Sequence, residues 1–262
     1  MLPDGTFAGR TALVTGAGTG IGRASALRLV ELGASVIGVG RRVELLRETR
    51  AMAANPERLR IVPQDIRDRA ATSELVRGLG TLDLVVNNAG GQFIAPAADL
   101  SPRGFGAVLD LNLTATAAVT EAAHAGLAAV GGRVVTLSIS AAERGIAGMV
   151  HSAAARAAMA ALVADLGERW AADGVRLFCL APGTVLTAGV GDELAGSTLQ
   201  AAVDASILGR DTSAAEVAEW VAALGSGLFD AVSGTVIEID AGAALVDASS
   251  VLVGTEGVDR HG

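Results

Sequence analysis

The sequence contains no tyrosine and no lysine, and all twenty of its basic side chains are arginine. Any mechanism that draws a phenol or a titratable amine from this chain is therefore excluded. Its single cysteine, Cys179, can build neither an intrachain disulfide framework nor a multi-cysteine metal site, so no metal is expected. No uncharged apolar run reaches the roughly 18 residues of a membrane span, and the N-terminus lacks the basic, apolar and small-residue order of a signal peptide. Positive charge is in deficit: 20 basic against 28 acidic side chains leave a net charge of −8. That balance argues against a nucleic acid or an anionic membrane as partner and for a small-molecule substrate in a cytoplasmic setting. What remains is a chain of 262 residues, 51% hydrophobic and with 34 glycines, long enough to bury the core of a large α/β domain.

From Thr11 onward, short apolar or β-branched runs alternate with longer amphipathic stretches. The runs are 11–15, 34–40, 59–63, 82–86, 133–138, 175–180 and 235–240; helix-like segments lie near 21–32, 42–54, 68–78, 103–129, 149–172 and 213–225. Apolar strands separated by helices predict a doubly wound, Rossmann-type parallel sheet of about seven strands with helices on both faces. No linker or repeat divides the chain, so residues 1–262 read as one dinucleotide-binding domain. The stretch 188–210 reads as an insertion that could form a lid over a site at the strand ends, and the tail after Leu245 as a surface arm or subunit contact.

The first run leads into Thr15-Gly16-Ala17-Gly18-Thr19-Gly20-Ile21-Gly22, with helical sequence following at once. Glycines let the backbone turn tightly and approach a pyrophosphate, and the free N–H groups of the next helix favour the anion. This places Gly16, Thr19, Gly20, Ile21 and Gly22 at a dinucleotide. The second run ends in Gly40-Arg41-Arg42, where a carboxylate would repel a 2′-phosphate. Guanidinium groups match phosphate oxygens, so Arg41 and Arg42 point to NADP(H) over NAD(H). The bland reading is that both arginines start a solvated helix.

Four motifs in order resemble the short-chain dehydrogenase/reductase superfamily: Thr15-Gly-x-x-x-Gly-x-Gly22, Asn87-Asn88-Ala89-Gly90, Asn112 within a helix, and Pro182-Gly183-Thr184-Val185-Leu186-Thr187. The resemblance runs from about residue 7 to 246. It implies that Asp65 and Ile66 hold the adenine and that Asn88, Ala89 and Gly90 line the cofactor cleft. It implies further that Pro182, Gly183, Val185 and Thr187 meet the nicotinamide end. The usual constellation of that superfamily, a tyrosine with a lysine four residues later and a serine thirteen before, is absent. An ungapped register places Ile139 at the serine, Ser152 at the tyrosine and Arg156 at the lysine. A second, gapped register would place His151 and Ala155 there. Arginine can bind the nicotinamide ribose but is a poor proton relay. Neighbours on a helix point about 100° apart, so His151 and Ser152 cannot both face one site, and His151 reads as a packing or cleft-edge residue before a catalytic acid.

A narrower resemblance rests on Asn87-Asn88-Ala89-Gly90-Gly91-Gln92-Phe93-Ile94-Ala95-Pro96, Leu100-Ser101-Pro102 and His151-Ser152-Ala153-Ala154-Ala155-Arg156-Ala157. These strings are similar to the peroxisomal trans-2-enoyl-CoA reductases and the related dienoyl-CoA reductases. The first group has a tyrosine four residues beyond the arginine, where this chain has Ala160, and the last residues Asp259-Arg260-His261-Gly262 are not a peroxisomal address. The expected activity is NADPH-dependent reduction of an activated double bond, with an enoyl thioester favoured. Asn112, Arg156, Ser152, Ser138 and Ser140 are the candidate site residues, the serines as donors to an oxyanion. Two other readings stand: a ketoreductase of tailoring metabolism assisted by substrate or water, and a non-catalytic cofactor-binding subunit paired with a complete homologue. Segments 103–129 and 149–172 are rich in small apolar residues and commonly pair between subunits in the superfamily, which implies a homodimer or homotetramer.

Overall fold

The computed structural model describes residues 2–140, 142, 148–185, 203 and 206–245. Seven strands, β1 (Thr11–Thr15), β2 (Ser35–Gly40), β3 (Leu59–Pro63), β4 (Leu84–Asn87), β5 (Arg133–Leu137), β6 (Arg176–Pro182) and β7 (Thr235–Ile239), form one sheet in the order β3-β2-β1-β4-β5-β6-β7. Every pairing is parallel. The central strands carry Val, Leu and Ala on both faces because both are covered. Helices α1 (Gly20–Glu31), α2 (Val43–Met52) and α7 (Ala214–Ser226) bury one face with Val14, Val86 and Phe178. Helices α3 (Arg69–Arg77), α5 (Thr116–Ala128) and α6 (Val150–Arg169) bury the other with Leu13, Val85 and Cys179. The strand order reverses between β1 and β4, and the loops that leave these two strands part to opposite sides, opening a crevice at their carboxyl ends.

Local signals set the helix ends. Ser101 caps α4 (Pro102–Leu109) by accepting from the Gly104 N–H, and Asp68 caps α3 through the Ala71 N–H. Ser213 and Glu216 close a reciprocal capping box on α7, and the Ser213 N–H with Arg210 holds the Glu216 carboxyl down at about 2. The strands agree with the sequence expectation to within two residues at each end.

One element differs. Residues 103–129 are not a single helix: α4 passes into a π-helical stretch, Asp110–Ala115, before α5 begins. The Thr116 hydroxyl reaches back five residues to the Leu111 carbonyl, at the wider spacing of that turn. One inserted residue leaves the apolar pattern on either side intact, which is why the pattern reads as continuous; Asn112 sits inside the bulge.

Thr187, most of the expected lid at 188–210 and the tail after Leu245 lie outside the described residues. Among the described residues no helix is long and apolar enough to cross a membrane.

Helix α6 lies close to the edge strand because Gly167 faces Gly234. A Cβ at 167 would stand 2.7 Å from the Gly234 Cα. Gly167→Ala is therefore expected to push α6 away from β7 and lower the free energy of unfolding by about 1–3 kcal/mol, read from urea titration.

Candidate active site

The crevice is built on backbone. The Thr15 hydroxyl accepts from the Asn88 and Ala89 N–H groups, both at 3.0 Å, and the Asn88 side-chain amide donates to the Thr15 carbonyl at 3.0 Å and the Gly16 carbonyl at 3.3 Å. The ends of β1 and β4 are thus stapled. Gly16 has φ +69° and Gly20 φ +52°, angles that L-residues rarely adopt. A Cβ at Gly16 would lie 2.6 Å from the Asn88 amide nitrogen, and one at Gly22 only 2.2 Å from the Gly16 carbonyl. The turn therefore keeps its shape only with glycine. Thr19 precedes α1 without a side-chain cap, and the first turn, with Gly20, Ile21 and Gly22, carries no acid. Uncapped N–H groups at a positive helix end beside a glycine cradle fit a pyrophosphate.

At the neighbouring strand ends, Arg41 and Arg42 are exposed, and their guanidinium groups take no hydrogen-bond or ion-pair partner among the described residues. Asp65 is gripped by Arg67 at 2.5–3.1 Å, and these bonds, with the charge of Arg41 adding to them, hold its carboxyl below the usual range. Ile66 is buried in the core layer beneath.

Beyond the staple, the chain from Ala89 to Phe93 crosses the crevice toward the π-bulge and α6. Gly90 lets two side chains come close: a Cβ there would meet Arg156 Nη2 at 2.6 Å and Asn112 Oδ1 at 2.7 Å, and both would have to shift. Asn112 exchanges two hydrogen bonds with the backbone of Gly91, accepting at 3.1 Å and donating at 2.7 Å. Its oxygen also accepts from Arg156 at 3.3 Å, and Arg156 donates a further bond to the Leu137 carbonyl at the end of β5. Loss of water pushes the Arg156 guanidinium down to about 10, so it stays cationic at neutral pH.

One turn before Arg156, the fully buried Ser152 donates to the side-chain oxygen of Gln92 at 2.8 Å. In the sequence Gln92 stands only as one residue of the Gly-Gln-Phe string. Its only advance signal was that string, because the hydrogen bond spans 60 residues. With its oxygen taken by Ser152, its amide nitrogen has no partner among the described residues.

Other candidates turn elsewhere. Ser140 donates to Asp240 at 2.5 Å, and Asp240 also accepts from the Gly242 and Ala244 N–H groups, so this hydroxyl braces the turn after β7. Ser138 is buried and shares a hydrogen bond with the Cys179 thiol, which burial pushes up. Ala155 is enclosed in the core, and the His151 ring packs against Phe93 with 4.4 Å between centroids and a tilt of 34°. Ser138, Ile139 and Ala160 line a cavity of about 420 Å³ between α6 and β7, together with Ala157, Val236 and Glu238. Position 160 lies about 12 Å along the helix from Ser152. Pro182 and Gly183 close the far wall, Gly183 lying so near Asp240 that a Cβ would stand 2.8 Å from the Asp240 Cα; Val185 is buried against the core layer.

The family model described as enoyl-(acyl carrier protein) reductase matches residues 16–244. A probable 2,4-dienoyl-CoA reductase of Bacillus subtilis is 32% identical over 243 residues, 89% of this chain and 96% of that protein. Probable 2,4-dienoyl-CoA reductase 3 of Caenorhabditis elegans is 31% identical over 255 residues, 92% of this chain and 82% of that protein. Among solved structures, a putative short-chain alcohol dehydrogenase of Sinorhizobium meliloti superposes with a TM-score of 0.86 at 30% identity, over 94% of this chain and all of the other. With its seven-stranded parallel sheet, its glycine turn on the β1–β4 crevice and these relatives along nearly its whole length, the chain belongs to the short-chain dehydrogenase/reductase family of oxidoreductases.

Proposed function

We propose that the protein reduces a carbon–carbon double bond conjugated to a thioester carbonyl, with NADPH as the reductant. When bound, the reduced nicotinamide supplies a hydride to the electron-poor β-carbon. The glycine turn and uncapped end of α1 would hold the pyrophosphate, Arg41 and Arg42 the 2′-phosphate, and Arg156 the nicotinamide ribose. The names of the relatives in Bacillus subtilis and Caenorhabditis elegans support this class of substrate.

The observation that carries the reading is the Gln92 amide. Its oxygen is occupied by Ser152, so the group it has to offer the cleft is its NH₂, a donor that cannot lose its proton. Around it stand an amide, a hydroxyl and a cationic guanidinium, and no side chain in this set is an acid near neutrality. Hydride addition to a ketone leaves an alkoxide that needs a proton at once. Addition to an enoyl thioester leaves an enolate, whose charge spreads onto the carbonyl oxygen and survives on hydrogen bonds. Gln92 donates to that oxygen, Ser152 keeps the amide turned the right way, and the fixed charge of Arg156 favours the anion. Water then protonates the α-carbon. We infer a cytoplasmic location and assembly as a homodimer or homotetramer, on the sequence grounds given above.

Four expectations follow. The purified chain alone should oxidise NADPH with 2-enoyl thioesters and leave simple ketones nearly untouched, with one solvent deuterium entering the α-carbon in D₂O; preference for ketones, or inactivity without a homologue, overturns the reading. Gln92→Ala should lower kcat about a hundredfold, the scale of a lost oxyanion donor. Ser152→Ala should cost about tenfold or less with an unchanged pH profile, because it orients and does not supply the proton. In fluorescence titrations NADPH should bind more tightly than NADH, and Arg41→Asp should narrow or reverse that difference.

A further inference from the structure

We propose that His151 is a positioning residue: its ring is the plate against which Phe93 is packed, and through Phe93 it fixes the direction of the Gln92 amide. The inference rests on the reading of Gln92 as the donor to the substrate oxygen. His151 is wholly buried, and neither of its ring nitrogens has a hydrogen-bond partner among the described residues. Burying two polar nitrogens without partners costs free energy that an aliphatic side chain would avoid. Among the described residues no hydrogen bond is gained in return, so what the ring contributes is its contact with Phe93. The two rings meet at 4.4 Å between centroids and 34° between planes.

The arrangement is a two-point clamp. Gln92 and Phe93 are consecutive, as are His151 and Ser152, and the contacts pair them: Gln92 with Ser152, Phe93 with His151. Adjacent residues on a helix point about 100° apart. A single bond from Ser152 would leave segment 91–93 free to pivot about it, and a second contact in a different direction removes that freedom. Gly104 lies beside the tip of the Phe93 ring, where a Cβ would stand 3.2 Å from its Cζ. A further tie runs from the Ala95 N–H to the Gly148 carbonyl at 3.0 Å.

The test compares His151→Ala, His151→Phe, Phe93→Ala and the double variant Gln92→Ala/His151→Ala. It reads kcat and KM for a 2-enoyl thioester, NADPH affinity by fluorescence and Tm. Loss of the plate in His151→Ala should lower kcat about tenfold, with NADPH affinity and thioester KM nearly unchanged. Phe93→Ala should do the same from the other side of the contact, and His151→Phe should recover most of the loss. In the Gln92→Ala background, removing His151 should cost nothing further, because the group it holds is gone. Additive losses in the double variant would overturn the proposal, as would wild-type kcat in His151→Ala, or a folded His151→Phe as slow as His151→Ala. If His151→Ala does not fold, Phe93→Ala and its combination with Gln92→Ala decide the matter by the same criteria. Should Gln92→Ala itself leave kcat intact, it is the reading of the site that fails, and the inference with it.

Discussion

The site depends on the staple between β1 and β4. A parallel sheet whose order reverses between two strands must send their following loops apart, and the crevice so formed has no side chains of its own to define its width. Thr15 and Asn88 define it with four hydrogen bonds, three of them at 3.0 Å. They hold the glycine turn against the start of the β4 loop so tightly that a methyl group at Gly16 or Gly22 would not fit. That loop leaves in a fixed direction, so Gly91 arrives at Asn112 and Gln92 at Ser152, each bond placing the next residue for its own.

The chain lacks both titratable residues on which its superfamily usually relies. Arg156 is a poor proton relay, but its side chain ties the end of β5 to the π-bulge and carries a buried positive charge. Asn112 accepts from Gly91 and Arg156 and donates to Gly91, which makes it a structural hinge-pin between loop and helix.

The strand-and-helix alternation, the parallel sheet and the glycine turn were legible along the sequence because each is a local property. Apolar runs buried on two faces need no polar alternation, and a turn of this tightness tolerates only glycine. So were the exposed arginines after β2, because a charge at a strand end in this fold has one place to go. The π-bulge was not, since it inserts one residue without disturbing the apolar pattern around it.

The catalytic side of the site divides in the same way. The sequence by itself determined which chemistry is impossible: with no tyrosine and no lysine, neither can be recovered by any folding. It also displayed Gly-Gln-Phe and His-Ser-Ala-Ala-Ala-Arg as two strings 60 residues apart. Only the tertiary structure decided that they are halves of one object, Gln92 bonded to Ser152 and Phe93 packed against His151, and that Ser138 bonds to Cys179 and Ser140 to Asp240. The physical reason is that a side chain's hydrogen-bond partner is chosen by which backbone segments the sheet brings within about 3 Å, and that proximity is a property of the strand order, not of any stretch of sequence.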